Sequence, residues 1–186
     1  TVQGKDNSIL DIVVKRGRIY GDVDVYGKYS DQGDYSTDAT SIGVEYTKRF
    51  DGGNNVYFEP QAQLTFGRID GYDYVSAKGI RVAYDDINSL IGRLGIVAGK
   101  AFSRGDVYVK ASLLHEFSGN SSVAMLAANG ESYSADKDYG DTWLEVGIGG
   151  NITLGKNCEL YGDVERSFGG DVTKNWGANV GFRYSF

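Results

Sequence analysis

The final twelve residues, Asn175 to Phe186, alternate without interruption. Trp176, Ala178, Val180, Phe182, Tyr184 and Phe186 hold one parity; Asn175, Gly177, Asn179, Gly181, Arg183 and Ser185 hold the other. Successive side chains of a strand point to opposite faces, so this segment reads as a strand lying between an oily medium and a wet one. An aromatic strand edge left bare in water templates aggregation. A closed barrel in a membrane has no edge, and lipid covers its aromatic face.

The pattern recurs along the chain and predicts eight strands: Ser8 to Tyr26, Thr40 to Phe50, Val56 to Gly67, Ile87 to Phe102, Val107 to Phe117, Thr142 to Leu154, Cys158 to Phe168 and Asn175 to Phe186. Most exceed the usual soluble strand of about 5–6 residues, and a tilted strand needs about 9–11 to cross a bilayer. In the third strand Val56, Phe58, Pro60, Ala62, Leu64 and Phe66 oppose Tyr57, Glu59, Gln61, Gln63, Thr65 and Gly67. In the sixth, Leu144, Val146, Ile148, Ile152 and Leu154 oppose Trp143, Glu145, Gly147, Gly149 and Asn151. The fourth is less clean, because Ile91 and Val97 fall on the inner parity. A bulge is expected at Gly17 or Gly21 in the long first strand.

Short turns (51–55, 103–106, 155–157) alternate with longer connections (30–39, 68–86, 118–141, 169–174), the asymmetry of outer-membrane barrels. An even strand count puts both ends on the short-turn, periplasmic side. No run of eighteen apolar residues is present to form a transmembrane helix. The mean hydropathy of −0.33 is mildly polar, but alternation hides the apolar half of a barrel. The net charge of −6 makes nucleic acid an unsuitable partner. The competing reading is a soluble antiparallel barrel or sandwich with the apolar parity packed inside.

Several stretches resemble the C-terminal translocator β-barrel of the autotransporters, the type V secretion family. They are Phe58-Glu-Pro-Gln-Ala-Gln-Leu64, Ser89-Leu-Ile-Gly-Arg-Leu-Gly95, Val107 to Phe117, Asp141-Thr-Trp-Leu-Glu-Val-Gly147, Leu160 to Gly170 and Arg183-Tyr-Ser-Phe186, in family order. The resemblance implies an all-β, antiparallel up-and-down transmembrane barrel in the bacterial outer membrane, with a periplasmic C-terminus. It implies a barrel that anchors a covalently linked N-terminal passenger and supports its export, with outer-membrane lipid and the barrel-assembly machinery as partners. Family barrels have about twelve strands threaded by a helical linker; this chain resembles the last two-thirds of one. The chain is thus expected to be an autotransporter-type barrel domain over residues 1–186, N-terminally truncated. The alternative is a small closed eight-stranded barrel with a structural or adhesive role, its lumen filled by side chains.

The inner parity collects Glu45, Glu59, Arg93, Lys110, Glu116, Glu145, Asp163, Glu165 and Arg183, expected to form an ion-pair network in a polar lumen. Phe182, Tyr184 and Phe186 match the C-terminal pattern that, in the resembled family, the assembly machinery reads. Trp176 and Tyr184 are spaced for two aromatic girdles. No catalytic residue, cofactor or metal site is expected. His115, the single histidine, shares the lipid-facing parity with Leu113 and Phe117, so it reads as interfacial rather than as part of a hydrolase triad. Cys158 reads as a passive thiol. Arg104-Gly105-Asp106 reads as a hairpin turn on the periplasmic side, and the aspartates of 70–86 and 136–141 as solvated loops. Gly147-Ile-Gly-Gly150 is no phosphate loop, since no helix follows; inner-face glycines make room for neighbouring bulk.

Overall fold

The computed structural model describes residues 1–28, 30–155, 157–170 and 175–184. Numbered in chain order, eight strands are long: β2 (Ser8–Val25), β3 (Asp31–Lys48), β5 (Val56–Ile69), β8 (Ile87–Phe102), β9 (Gly105–Glu116), β12 (Asp141–Thr153), β13 (Cys158–Phe168) and β14 (Gly177–Tyr184). Six are short: β1 (Val2–Gln3), β4 (Phe50–Asp51), β6 (Tyr72–Val75), β7 (Arg81–Tyr84), β10 (Asn120–Leu126) and β11 (Ser132–Asp138). The main path, β1-β2-β3-β5-β8-β9-β12-β13-β14, is an antiparallel meander. Among the described residues no ladder joins β14 back to β2, so the sheet is a curled half-barrel with two open edges.

The long strands follow the alternation in the sequence. Along β5 the apolar parity is exposed and the polar parity turns inward. Leu64, Leu94 and Ile148 are 52%, 67% and 62% exposed. Buried hydrophobic residues are few: Tyr57, Val82, Val97 and Leu114. A soluble sandwich needs the opposite arrangement, with its apolar parity packed between layers. Here the exposed apolar face lacks a protein partner among the described residues, and each Å² of it gains about 25 cal/mol only when another apolar medium covers it.

The level at which that medium ends is visible on the outer face. Along β2 the outward residues change from Ile12 and Val14 to Arg16 and Arg18; along β5 they change from Leu64 and Phe66 to Arg68, with Asp70 just past its end. Arg16 lies opposite Thr40, and Thr40 opposite Arg68, so the change falls on a single rung across three strands.

Two sequence expectations need correction. The segment 30–39 is not a loop: β3 starts at Asp31, and its ladder with β2 runs unbroken from Ser8↔Lys48 to Val25↔Asp31. The same continuous register leaves no bulge at Gly17 or Gly21. The polar residues that suggested a loop (Gln32, Asp34, Ser36) instead form the outward face of a strand that has left the apolar band. The reversal between β2 and β3 is tight, with Gly27 at a φ of 115° that suits glycine, and Ser30 N–H donating to the Gly27 carbonyl.

The two longest connections also fold into sheet. β6 and β7 form one hairpin, β10 and β11 another, and β7 pairs with β10. Tyrosines dock the first hairpin onto β3: Tyr35 stacks on Tyr72 at 4.1 Å between ring centroids, and Tyr72 on Tyr84 at 4.8 Å. Burial, then the hydrogen bond with Tyr35, pushes the Tyr72 hydroxyl well above its ordinary pKa. At the tip, the Asp31 carboxylate accepts from the backbone N–H groups of Gln32 and Lys78. A hydrogen bond with the Ser76 side chain contributes most to holding Asp31 below the usual carboxylate range.

Candidate functional site

The concave face of the sheet carries the polar side chains, held in separate clusters. The central one is built on Arg93 of β8. Its guanidinium donates through Nε to Gln63 Oε1 at 2.8 Å, through Nη1 to Gln61 Oε1 at 3.2 Å and through Nη2 to Glu45 Oε2 at 2.7 Å. One planar fork therefore ties β8 to β5 and β3. Arg93 and Glu45 side chains are only 20% and 24% exposed, so the pair is partly desolvated.

The second cluster crosses a strand. Lys110 of β9 places Nζ 2.8 Å from Asp163 and 2.9 Å from Glu165 on β13, reaching over β12. The register explains the reach: Gly147 lies between them, opposite both Lys110 and Glu165. A Cβ there would sit 2.6 Å from Lys110 Cε. The glycine is a gap through which the lysine passes. Tyr57 and Tyr108 use the same device, lying across Gly99 and Gly149.

At the short-turn end Glu59 pairs with Arg49 at 3.2 Å, and Arg49 lies 3.7 Å above the Tyr57 ring. Nearby, Asp106 Oδ2 accepts from Asn151 Nδ2 at 3.0 Å. The carboxylate of the Arg104-Gly105-Asp106 tripeptide is thus turned toward the concave face. At the other end Glu116, 8% exposed, is fully engaged. It accepts from Ser89 Oγ at 2.5 Å, Leu90 N–H at 2.7 Å and Ser118 N–H at 3.1 Å, fastening β8 to the end of β9. Glu145 accepts from Trp143 Nε1 at 3.3 Å, and Arg183 pairs with Glu159 at 3.3 Å near the open β14 edge.

The residues on the inner parity therefore share a face without forming one network. The structure adds partners that charge alone did not single out: Gln61, Gln63, Arg49, Asp106 and Asn151. The two glutamines and Asn151 stand on the inner parity and were legible by position; Arg49 shares the parity of Glu45 in the predicted second strand, although β3 itself ends at Lys48.

On the convex face His115 is exposed, with Nδ1 2.7 Å from Thr142 Oγ1 and its ring edge-on to Phe117. Phe182, Tyr184 and Trp176 are exposed by 61%, 55% and 72%. Phe186, the last residue of the proposed C-terminal pattern, lies outside the described residues. Cys158 is a half-buried free thiol. In the long connections Asp70 and Asp86 both pair with Arg68, and Asp138 accepts from the Gly140 N–H. These arrangements neutralise and solvate a polar surface backed by an apolar one.

A family model described as the autotransporter beta-domain matches residues 1–165. The pertactin autotransporter of Bordetella parapertussis is 32% identical over 184 residues, covering 95% of this chain and 19% of that protein. The BrkA autotransporter of Bordetella pertussis is 30% identical over 192 residues, covering 98% of this chain and 18% of that protein. Serine protease EspP of Escherichia coli is 31% identical over 165 residues, covering 82% of this chain and 12% of that protein. The chain thus spans about a fifth or less of the length of these relatives. A crystal structure of the beta domain of the Bordetella autotransporter BrkA superposes with a TM-score of 0.71 at 26% identity, covering 99% of this chain and 69% of that one. The matched family model, the shared length and the shared sheet agree: the chain belongs to the autotransporter beta-domain family.

Proposed function

We propose that this chain is the larger part of an outer-membrane translocator barrel, which anchors an N-terminal passenger and supports its export to the cell surface. The observation that carries the reading is the two-faced sheet: lipid-compatible side chains point outward and hydrogen-bonded charges point inward. That combination encloses water within hydrocarbon once the sheet closes. The open edges of β2 and β14 take further strands of the same polypeptide, which makes the lumen wide enough for a chain to pass. The short turns and the C-terminus lie in the periplasm, and the tyrosine-docked hairpins lie outside the cell. Lipid covers the convex face. Phe182, Tyr184 and Phe186 are the pattern by which the barrel-assembly machinery takes up the chain. Glu45, Glu59, Arg93, Lys110, Asp163 and Glu165 solvate the lumen rather than catalyse a reaction. The protease name carried by one relative belongs to a protein of which this chain matches 12%.

The test is made on cells producing the full-length protein with an epitope in the passenger. External protease should remove the epitope from intact cells, and Phe186→Asp should lower both that exposure and the heat-modifiable folded band. Planar-bilayer recordings after passenger release should show an open conductance. An epitope that stays protected in intact wild-type cells, with silent bilayers, would favour a small filled barrel.

A further inference from the structure

The convex face is not uniformly smooth. A groove of about 610 Å³ runs across β8, β9, β12 and β13. Ile96, Val109, Ile148 and Val164 wall it, and Ala98 and Ala111 keep its floor low. Arg166 and Trp176 close one end, which is the end of β13 that leads to a long connection.

Arg166 faces outward at one end of the groove. It stands on the outward parity with Val164 and Phe168, opposite Val146 in the ladder. The outward arginines of β2 and β5 at that end have partners: Arg16 pairs with Asp38 at 3.4 Å, Arg68 with Asp70 and Asp86 at 2.9 and 2.6 Å, and Arg18 donates to Ser36 Oγ at 3.1 Å. Among the described residues Arg166 has no carboxylate. Its guanidinium lies 4.9 Å from the centre of the Phe168 ring, which leaves its N–H donors available.

We infer that the groove and Arg166 form a seat for an anionic lipid of the outer leaflet, a phosphorylated glycolipid with several acyl chains. An acyl chain fills the groove and a headgroup phosphate meets Arg166, whose planar fork matches phosphate oxygens. Trp176 flanks the headgroup, where an indole fits the interface between oil and water. The charge complementarity sets this ligand apart from a zwitterionic lipid, which offers no net negative charge to a guanidinium that has no carboxylate among the described residues. The inference rests on the membrane orientation proposed above, which puts this end of β13 in the outer leaflet.

The experiment uses the full-length protein refolded in detergent, with folding of every variant checked by heat-modifiable migration. Binding of the phosphorylated glycolipid, of the same glycolipid after phosphatase treatment, of phosphatidylethanolamine and of inorganic phosphate is measured by native mass spectrometry. Wild type should retain the phosphorylated glycolipid, and Arg166→Gln should weaken retention about tenfold. Ala111→Phe, which fills the groove without touching charge, should also weaken it, while the dephosphorylated lipid and phosphatidylethanolamine bind Arg166→Gln and wild type equally. Equal retention of the phosphorylated glycolipid by wild type and folded Arg166→Gln overturns the seat. So does tight binding of inorganic phosphate that Ala111→Phe does not alter, since the site would then be for phosphate alone. Failure of wild type to partition into lipid vesicles at all would overturn the membrane reading itself, whatever Arg166 does.

Discussion

Strand β3 passes through two media, and its halves differ accordingly. From Ile42 to Tyr46 its outward residues are Ile42, Val44 and Tyr46, with Gly43 and Glu45 turned inward. From Gln32 to Asp38 its outward residues are Gln32, Asp34, Ser36 and Asp38, while inward Tyr35 stacks on Tyr72 and Thr37 donates to the Asp70 carbonyl. The pleat runs unbroken through both halves. What changes is which face meets oil. In the lower half, apolar side chains are outside and hydrogen-bonded polar groups are inside. In the upper half, water is outside and an aromatic stack is inside. Alternation therefore reports that a strand exists, whereas the sense of the alternation reports what surrounds it.

The sharpest test of this contrast places the same residue on the apolar outward face of a central span and on the polar outward face of upper β3. Leu94→Arg, on the outward face of a central span, should cost about 2–4 kcal/mol and remove most of the heat-resistant folded band. Ser36→Arg, outward but above the band, should change stability by about 0.5 kcal/mol or less. Equal losses from the two would erase the distinction. On the inner face Gly147→Leu fills the gap through which Lys110 reaches β13, and overpacking should cost about 1–3 kcal/mol, read as a lower urea midpoint in detergent. An unshifted midpoint would mean that the lysine bridge holds nothing in place. In the upper half Tyr72→Ala removes two ring pairs worth roughly 1–3 kcal/mol together. Amide exchange should accelerate across 72–84 while the spans keep their protection; uniform acceleration would show that the two halves unfold as one. The smallest effect is expected from pH. Asp31 has a lowered pKa in the folded state, so its contribution is present above the ordinary carboxylate value and fades as pH falls through the lower, folded one. Acidification below about pH 4 should therefore increase proteolysis near residues 76–79. Asp31→Asn should already show that cleavage at neutral pH, and its absence would discount the contact.

The spans were legible because a sheet that is apolar on one face and polar on the other requires strict alternation. Ile87–Phe102 and Cys158–Phe168 have the bounds that their periodicity predicts. The upper hairpins were not. Asp70, Gly71, Asp73 and Lys78 to Gly79 carry the chemistry of turns, and strands of four residues are too short for a period to emerge. For the concave face, parity gave the direction of Arg93, Glu45 and Lys110 but not their partners. Those depend on which strand lies beside which, and on Gly147 opening a path that no pattern local to β9 encodes. Arg49 falls in the predicted second strand on the parity of Glu45, but parity could not give its partner Glu59; β3 ends one residue before it, and its backbone N–H bonds back to the Asn7 carbonyl.

Among the described residues, the margins of β14 and of β2 beyond its short ladder with β1 have no strand beside them, which bears on how such a sheet enters a bilayer. Along each margin amide and carbonyl groups face outward with nothing to bond to in hydrocarbon, at several kcal/mol apiece. An open half-cylinder cannot slide into the acyl region with its rims bare. Insertion must wait until the seam is zipped, or a chaperoning surface must hold the rims while lipid closes around them.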